Sequence, residues 1–140
     1  MLYEELTYKI RGAFYEIYNT LGPGFKEEIY HNALAKELKL RKVIFTEKKR
    51  WAVYYKDEKV GIYEPDFIIE DKVLVEIKSV LQMPKIFEAQ LYYYLKGSEY
   101  KLGFLVNFGS DKLDIRRRVY ESARNPRQSE IKISGHPRQE

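Results

Sequence analysis

The sequence predicts a single α/β domain with its elements in the order ααβββαββ. Three observations carry that expectation. Apolar residues recur at helical spacing through the first 41 positions. β-Branched and aromatic runs broken by short turns follow from 43 to 80. One further helical stretch then separates them from a strongly apolar run at 101–108. A length of 140 residues suits about one domain, and an apolar content of 44% suits a folded chain.

Residues 3–21 place Leu6, Ile10, Phe14, Ile17 and Leu21 on one stripe, the mark of an amphipathic helix. Gly22-Pro23-Gly24 ends it. A second helix is expected from Phe25 to Arg41, with Ile29, Ala33, Leu34 and Leu38 apolar. Val43 to Tyr55 reads as a first strand, Asp57-Glu58-Lys59 as a turn and Val60 to Ile69 as a second strand. Glu70-Asp71 is the next turn and Lys72 to Val80 the third strand. Turns this short imply an antiparallel meander. Pro84 suits the first turn of a third helix, which runs to Lys96 with Ile86, Phe87, Ala89, Leu91 and Leu95 apolar and ends at Gly97-Ser98. Lys101 to Phe108 is a strand, Gly109 to Lys112 a turn, and Leu113 to Tyr120 a last, edge strand. Residues 1–120 form the expected domain. Residues 121–140 are polar, contain Pro126, Gly135 and Pro137, and read as a loose basic tail.

Composition narrows the chemistry. There are no cysteines, which excludes disulfides, Cys-ligated zinc and Cys-held iron–sulfur clusters. His31 and His136 are far apart and share no ligand spacing. Any bound metal should therefore be held by oxygen, which favours Mg²⁺ or Mn²⁺. No apolar run reaches the roughly 20 residues of a membrane span, and the acidic start Met1-Leu2-Tyr3-Glu4-Glu5 does not read as a signal peptide, so a cytoplasmic protein is expected. The net charge of +4 is uneven: Arg116 to Glu140 holds seven Lys/Arg against three Asp/Glu. The cluster Arg116-Arg117-Arg118 suits either a phosphate backbone or a solubilising role.

The third strand carries the chemistry. Lys72-Val73-Leu74-Val75-Glu76-Ile77-Lys78 has the apolar content of a buried strand interrupted by two charges. Residues i and i+2 share a face, so Glu76 and Lys78 lie side by side while Val73, Val75 and Ile77 face the core. A charge there costs several kcal/mol unless it is paired or metal-bound. An isolated Glu-x-Lys would read as a surface salt bridge. Asp66, inside the apolar run Pro65-Asp66-Phe67-Ile68-Ile69, changes that reading. Reflection about the short turn at Glu70-Asp71 brings it opposite Lys72 to Val75, close to Glu76. Two carboxylates and an ammonium then converge. Such a set suits phosphodiester hydrolysis, with a divalent cation on the carboxylates and lysine orienting water or stabilising developing charge.

With these residues in view the chain resembles the PD-(D/E)xK nuclease superfamily, whose signature matches Pro65-Asp66 followed, after a nine-residue gap, by Glu76-Ile77-Lys78. Gly24-Phe25-Lys26-Glu27-Glu28-Ile29-Tyr30 is similar to the motif of the GxxExxY proteins, a branch of that superfamily. Gln90 with Tyr94 and Lys96 resembles the Gln-xxx-Tyr motif of RecB-type, lambda-exonuclease-type and Cas4-type nucleases, and Lys101 to Phe108 resembles the strand that closes GxxExxY proteins. The resemblance runs from Ile10 to Val119. It implies a restriction-endonuclease-like core, a mixed β-sheet flanked by helices. It further implies Asp66, Glu76, Lys78, Gln90 and Tyr94 as catalytic residues, and Glu27, Asp66, Glu76 and the carbonyl of Ile77 as ligands of Mg²⁺ or Mn²⁺. The substrate implied is nucleic acid, above all DNA. Unlike Cas4-type enzymes, this chain has no cysteine for a cluster.

Read without the resemblance, Glu27 is one of several solvated charges and Tyr94 a core aromatic. Thirteen tyrosines, among them Tyr63, Tyr54-Tyr55 and Tyr92-Tyr93-Tyr94, offer either base-stacking faces or amphipathic packing at the core edge. Trp51 beside Lys48-Lys49-Arg50 suits nucleic-acid contact or a protected edge strand. Two other functions stay open: a non-catalytic nucleic-acid- or partner-binding module that retains the nuclease fold, and a structural domain in which Glu76 and Lys78 pair. The exposed edge strand leaves room for a homodimer.

Overall fold

The computed structural model describes residues 2–121 and 131–134. Helix α1 (Glu4–Leu21) buries Ile10, Ala13, Phe14 and Ile17, and α2 (Glu27–Leu40) buries Tyr30, His31, Leu34, Ala35 and Leu38. Ile29, expected in the apolar stripe of α2, is exposed. The two helices cover one face of a five-stranded sheet built from β1 (Phe45–Glu47), β4 (Phe67–Ile69), β5 (Val73–Lys78), β6 (Leu102–Asn107) and β7 (Asp114–Val119), in the order β1-β4-β5-β6-β7. Helix α3 (Lys85–Lys96) lies against the other face through Leu91 and Leu95, beside Leu74 and Leu105. The sheet is mixed. β5 and β6 run parallel and are joined through α3, while β1–β4, β4–β5 and β6–β7 are antiparallel.

The alternation of β5 sorts its residues as strand geometry requires. Val73, Val75 and Ile77 enter the core under α1 and α2, and Leu74 enters the core under α3. Every residue of β6 is buried, which suits a central strand covered on both faces.

A second, three-stranded sheet has the order β3-β2-β8, from β2 (Trp51–Tyr55), β3 (Glu58–Tyr63) and β8 (Ile131–Ser134). It corrects the expected meander in two places. The run from Val43 to Tyr55 is two strands, not one: β1 pairs with β4, whereas β2 pairs with β3. The break is at Lys48, whose φ of 50° is left-handed and ends a strand. The run from Val60 to Ile69 is likewise two strands, divided where Pro65 withholds an N–H from any ladder. Both breaks occur at one level, because the Lys48 N–H donates to the Asp66 carbonyl at 3.1 Å. The chain thus leaves one sheet and joins the other beside Asp66. The expected order ααβββαββ becomes ααβββββαβββ.

The expected loose tail also contains structure. Ile131–Ser134 pairs antiparallel with β2, from Ala52↔Ser134 to Tyr55↔Ile131. The rest of that expectation, residues 122–130 and 135–140, lies outside the described residues.

Candidate active site

The site forms where β4 begins and β5 ends. The β4–β5 register pairs Phe67 with Val75 as its outermost pair, so Asp66 and Glu76 come next on their strands. The Asp66 carboxylate accepts a 2.6 Å hydrogen bond from the Ile77 N–H, continuing the ladder with a side chain. The N–H and C=O of a strand residue point to the same edge. The Ile77 carbonyl therefore faces the β4 side too, beyond the last pair, while the Lys78 carbonyl turns to β6 and accepts from Phe108.

Glu76 accepts a 2.5 Å hydrogen bond from the Tyr63 hydroxyl. Tyr63 is buried at the end of β3, and its ring stacks on Tyr94 of α3 with centroids 3.5 Å apart at 7°. Glu76, Lys78, Tyr63, Gln90 and Tyr94 line one cavity of about 220 Å³. Lys78 places its Nζ 4.1 Å from the centroid of the Phe87 ring, on the same wall. Gln90 is exposed at the rim of that cavity, although its neighbours in sequence are largely apolar. Asp66 and Glu27 are not among the cavity's walls and adjoin Glu76 from outside it.

Gly24, Glu27 and Tyr30 divide the work at the start of α2. Gly24 has φ 101°, a conformation that favours glycine. Tyr30 is fully buried and stacks on Phe108 at 4.5 Å and 5°. Its hydroxyl donates to the Gly22 carbonyl and accepts from the Phe25 N–H, bracing the loop. Ser79, just past Lys78, donates to the Phe25 carbonyl at 2.6 Å. The loop and the end of β5 are thus fastened together, and Glu27 opens the helix at that junction.

The carboxyl groups report on one another. Burial, then the Asp66 carboxylate, raise Glu76 to about 8, against the Tyr63 hydrogen bond and Lys78, which lower it. Burial raises Asp66, opposed by the Ile77 N–H, His31, Lys78 and Lys48. Partial burial and Asp66 raise Glu27, opposed by Lys78 and His31. Tyr63 is pushed well above the ordinary phenol range by burial and by Glu76. Lys78 is the cation whose field reaches all three acids.

The proposed oxygen ligands share a neighbourhood but do not close on a point: among the described residues no three His, Asp or Glu side chains gather closely enough to enclose an ion. Asp66 and Glu76 are each turned to a protein donor.

Two side chains beyond the sequence-derived set matter here. Tyr63, expected as a stacking face or as packing at the core edge, is the hydrogen-bond donor to Glu76, and nothing in local spacing announces that contact. His31, set aside as a ligand, is buried on α2 four residues after Glu27, stacks on Phe67 and contacts Glu47 at 2.9 Å. Electrostatic interaction with its ring lowers both Glu27 and Asp66. Two arginines of the 116–118 cluster are used structurally. Arg116 bonds Asp114 and Glu88, and Arg118 bonds Glu88 and lies over the Tyr92 ring. Tyr63 and Tyr94 are likewise stacked on each other, not presented to a base.

Among the described residues no helix is long and apolar enough to cross a membrane. No curated protein matches the chain. Among solved structures, the chain is similar to one described as the crystal structure of SSO0001, with 21% identity and a TM-score of 0.47. The match covers 69% of this chain and 52% of that one, so the chain spans about half the length of SSO0001. The family model of the PD-(D/E)XK nuclease superfamily matches residues 4–119, taking in α1, α2 and α3, the five-stranded sheet and every residue of the site, and the chain belongs to that superfamily.

Proposed function

We propose that the protein is a Mg²⁺- or Mn²⁺-dependent nuclease that hydrolyses phosphodiester bonds in DNA. The observation that carries this reading is the convergence of Asp66, Glu76 and Lys78 at adjoining strand ends, in a chain of a nuclease superfamily. Asp66, Glu76 and the Ile77 carbonyl would hold the cation, with Glu27 approaching from α2. Hard oxygen donors suit such an ion, and Asp66 disfavours charge on both Glu27 and Glu76, a repulsion that a cation would relieve. When bound, the ion polarises the phosphate and acidifies a coordinated water. Glu76 must first release its proton, and Asp66 and Glu76 must turn from Ile77 and Tyr63. Lys78, steadied against Phe87, orients water or meets charge developing on the phosphate. Gln90 and Tyr94 line the cavity beside Glu76, where they would position the scissile phosphate.

Within the superfamily, the bracing of Gly24 and Tyr30 around Glu27 supports the GxxExxY branch, and the Gln90–Tyr94 wall supports kinship with RecB- and lambda-exonuclease-type enzymes. A cytoplasmic location and a homodimer formed through an edge strand belong to the same reading.

One observation favours a second reading, a non-catalytic nucleic-acid- or partner-binding module: both acids are already satisfied by protein donors. Cleavage decides between them. Wild type is compared with Asp66→Ala and Lys78→Ala on single- and double-stranded DNA, with Mn²⁺ and with chelator. Metal-dependent cleavage present in wild type and lost in both variants is expected. Cleavage unchanged in both variants would sink the assignment, and a wild type inert with every metal would leave the binding module.

A further inference from the structure

The segment between β1 and β2 reads Lys48-Lys49-Arg50, and all three residues are exposed. It runs alongside the chain that delivers Asp66. The Lys48 N–H bonds the Asp66 carbonyl at 3.1 Å, and Arg50 Nη1 lies 4.0 Å from the Glu64 carboxylate. The Lys48 ammonium is near enough to lower the Asp66 carboxyl.

The neighbouring charges do not cancel this group. Glu47 is engaged by His31, and the Arg50–Glu64 contact is long and open to solvent, so it holds weakly. Arg116 and Arg118 of β7, by contrast, are paired with Glu88 and Asp114. Lys48 also adopts φ 50°, where glycine or asparagine would be less strained. A long cationic side chain occupying such a position beside an active-site acid invites a functional account.

We propose that Lys48, Lys49 and Arg50 form the contact surface for a nucleic-acid phosphodiester backbone and lead the strand to Asp66. The inference rests on the nuclease reading and deepens it by naming the surface that takes the substrate. Evenly spaced phosphates suit three consecutive cations on an exposed connection, and such contacts position a strand without reading its sequence. They also oppose the repulsion between substrate phosphates and the three site carboxyls.

The test is binding of a fluorescein-labelled oligonucleotide, measured by anisotropy between about 50 and about 200 mM salt. The protein is the full chain, wild type against the triple variant Lys48→Asn, Lys49→Gln, Arg50→Gln. Asparagine keeps the left-handed position comfortable, so the variant should keep the wild-type melting temperature. Expected are a loss of about tenfold or more at the lower salt and a log–log salt slope shallower by about two to three. Should the triple variant misfold, Lys49→Gln alone, an exposed site outside the strained position, must shallow the slope by about one. Unchanged affinity and slope in a folded variant overturn the proposal while leaving the nuclease reading intact. Binding that depends on these residues without metal-dependent cleavage supports this surface and sinks the nuclease reading instead. Full displacement by inorganic phosphate at equal phosphate concentration would mark a lone-anion site and also overturn the proposal.

Discussion

Glu76 accepts from the Tyr63 hydroxyl and is opposed by two acids, Asp66 first and then Glu27. Its carboxyl stands near 8 in the folded chain against an ordinary 4.5, and burial is the main cause. A raised carboxyl favours the fold in its protonated form. Its contribution is therefore complete below about 4.5 and is lost as the pH rises through about 8. Asp66 and Glu27 are raised as well and act in the same direction. In chelator, the melting temperature of wild type should fall between about pH 5 and about pH 8. Glu76→Gln keeps an acceptor for Tyr63 and removes the charge, so its melting temperature should change less over that interval and exceed that of wild type at the upper end. Equal slopes for the two proteins would contradict this account. Tyr63→Phe isolates the hydrogen bond, since the ring can still stack on Tyr94. Denaturant unfolding at neutral pH should show a loss of about 1–2 kcal/mol. No loss would mean that Glu76 finds another donor.

The site depends on where elements stop. β5 carries Glu76 and Lys78 to its last residue, and the turn after it is clamped by Asn107 at the end of β6. Asn107 is 1% exposed; its Oδ1 accepts from Val80 and Gly109, and its Nδ2 donates to the Val80 carbonyl. The approach is close enough that a Cβ on Gly109 would lie 2.4 Å from the Val80 nitrogen. Asn107→Ala leaves three backbone groups without these partners. It should cost about 2–4 kcal/mol by denaturant unfolding, and the Val80 amide should exchange its hydrogen faster. Stability within about 0.5 kcal/mol of wild type would remove the clamp from the account. Much at this scale was legible in the sequence. Alternation placed Glu76 and Lys78 together, and the short Glu70-Asp71 turn paired their strand with that of Asp66. The two sheet changes were not. Val43 to Tyr55 is apolar and β-branched throughout, and strand periodicity says nothing about which sheet a strand joins. A left-handed lysine at 48 carries no compositional mark, and Pro65 reads equally as an edge position. Tyr63 was hidden for another reason: its bond to Glu76 spans thirteen residues and two sheets.

Across the whole molecule two sheets share the work, and they meet at Lys48 and Asp66. The five-stranded sheet carries the acids, while the β3-β2-β8 sheet contributes Trp51 and Tyr63 to the core under α3. Composition concealed the third strand of that smaller sheet, because Ile131-Lys132-Ile133-Ser134 alternates apolar and polar over only four residues within a polar stretch. Its removal tests how the two halves depend on each other. A chain ending at Glu121 lacks β8, so the β2 groups that pair with Ile131–Ser134 become an open edge. The core beneath α1 and α2 is built on those helices and the five-stranded sheet and should survive. Hydrogen exchange should therefore quicken at the β2 amides that face β8, from Ala52 to Tyr55, while the amides of β5 and β6 keep their protection. The bared edge should also promote association, visible as sedimentation that depends on concentration. Since Tyr63 stands opposite Trp51 in the β2–β3 register, loosening of β2 should reach the donor of Glu76. DNA cleavage by the truncated chain is then expected to fall further than its melting temperature alone accounts for. Unaltered β2 protection together with unaltered cleavage would show that β8 supports neither the small sheet nor the site.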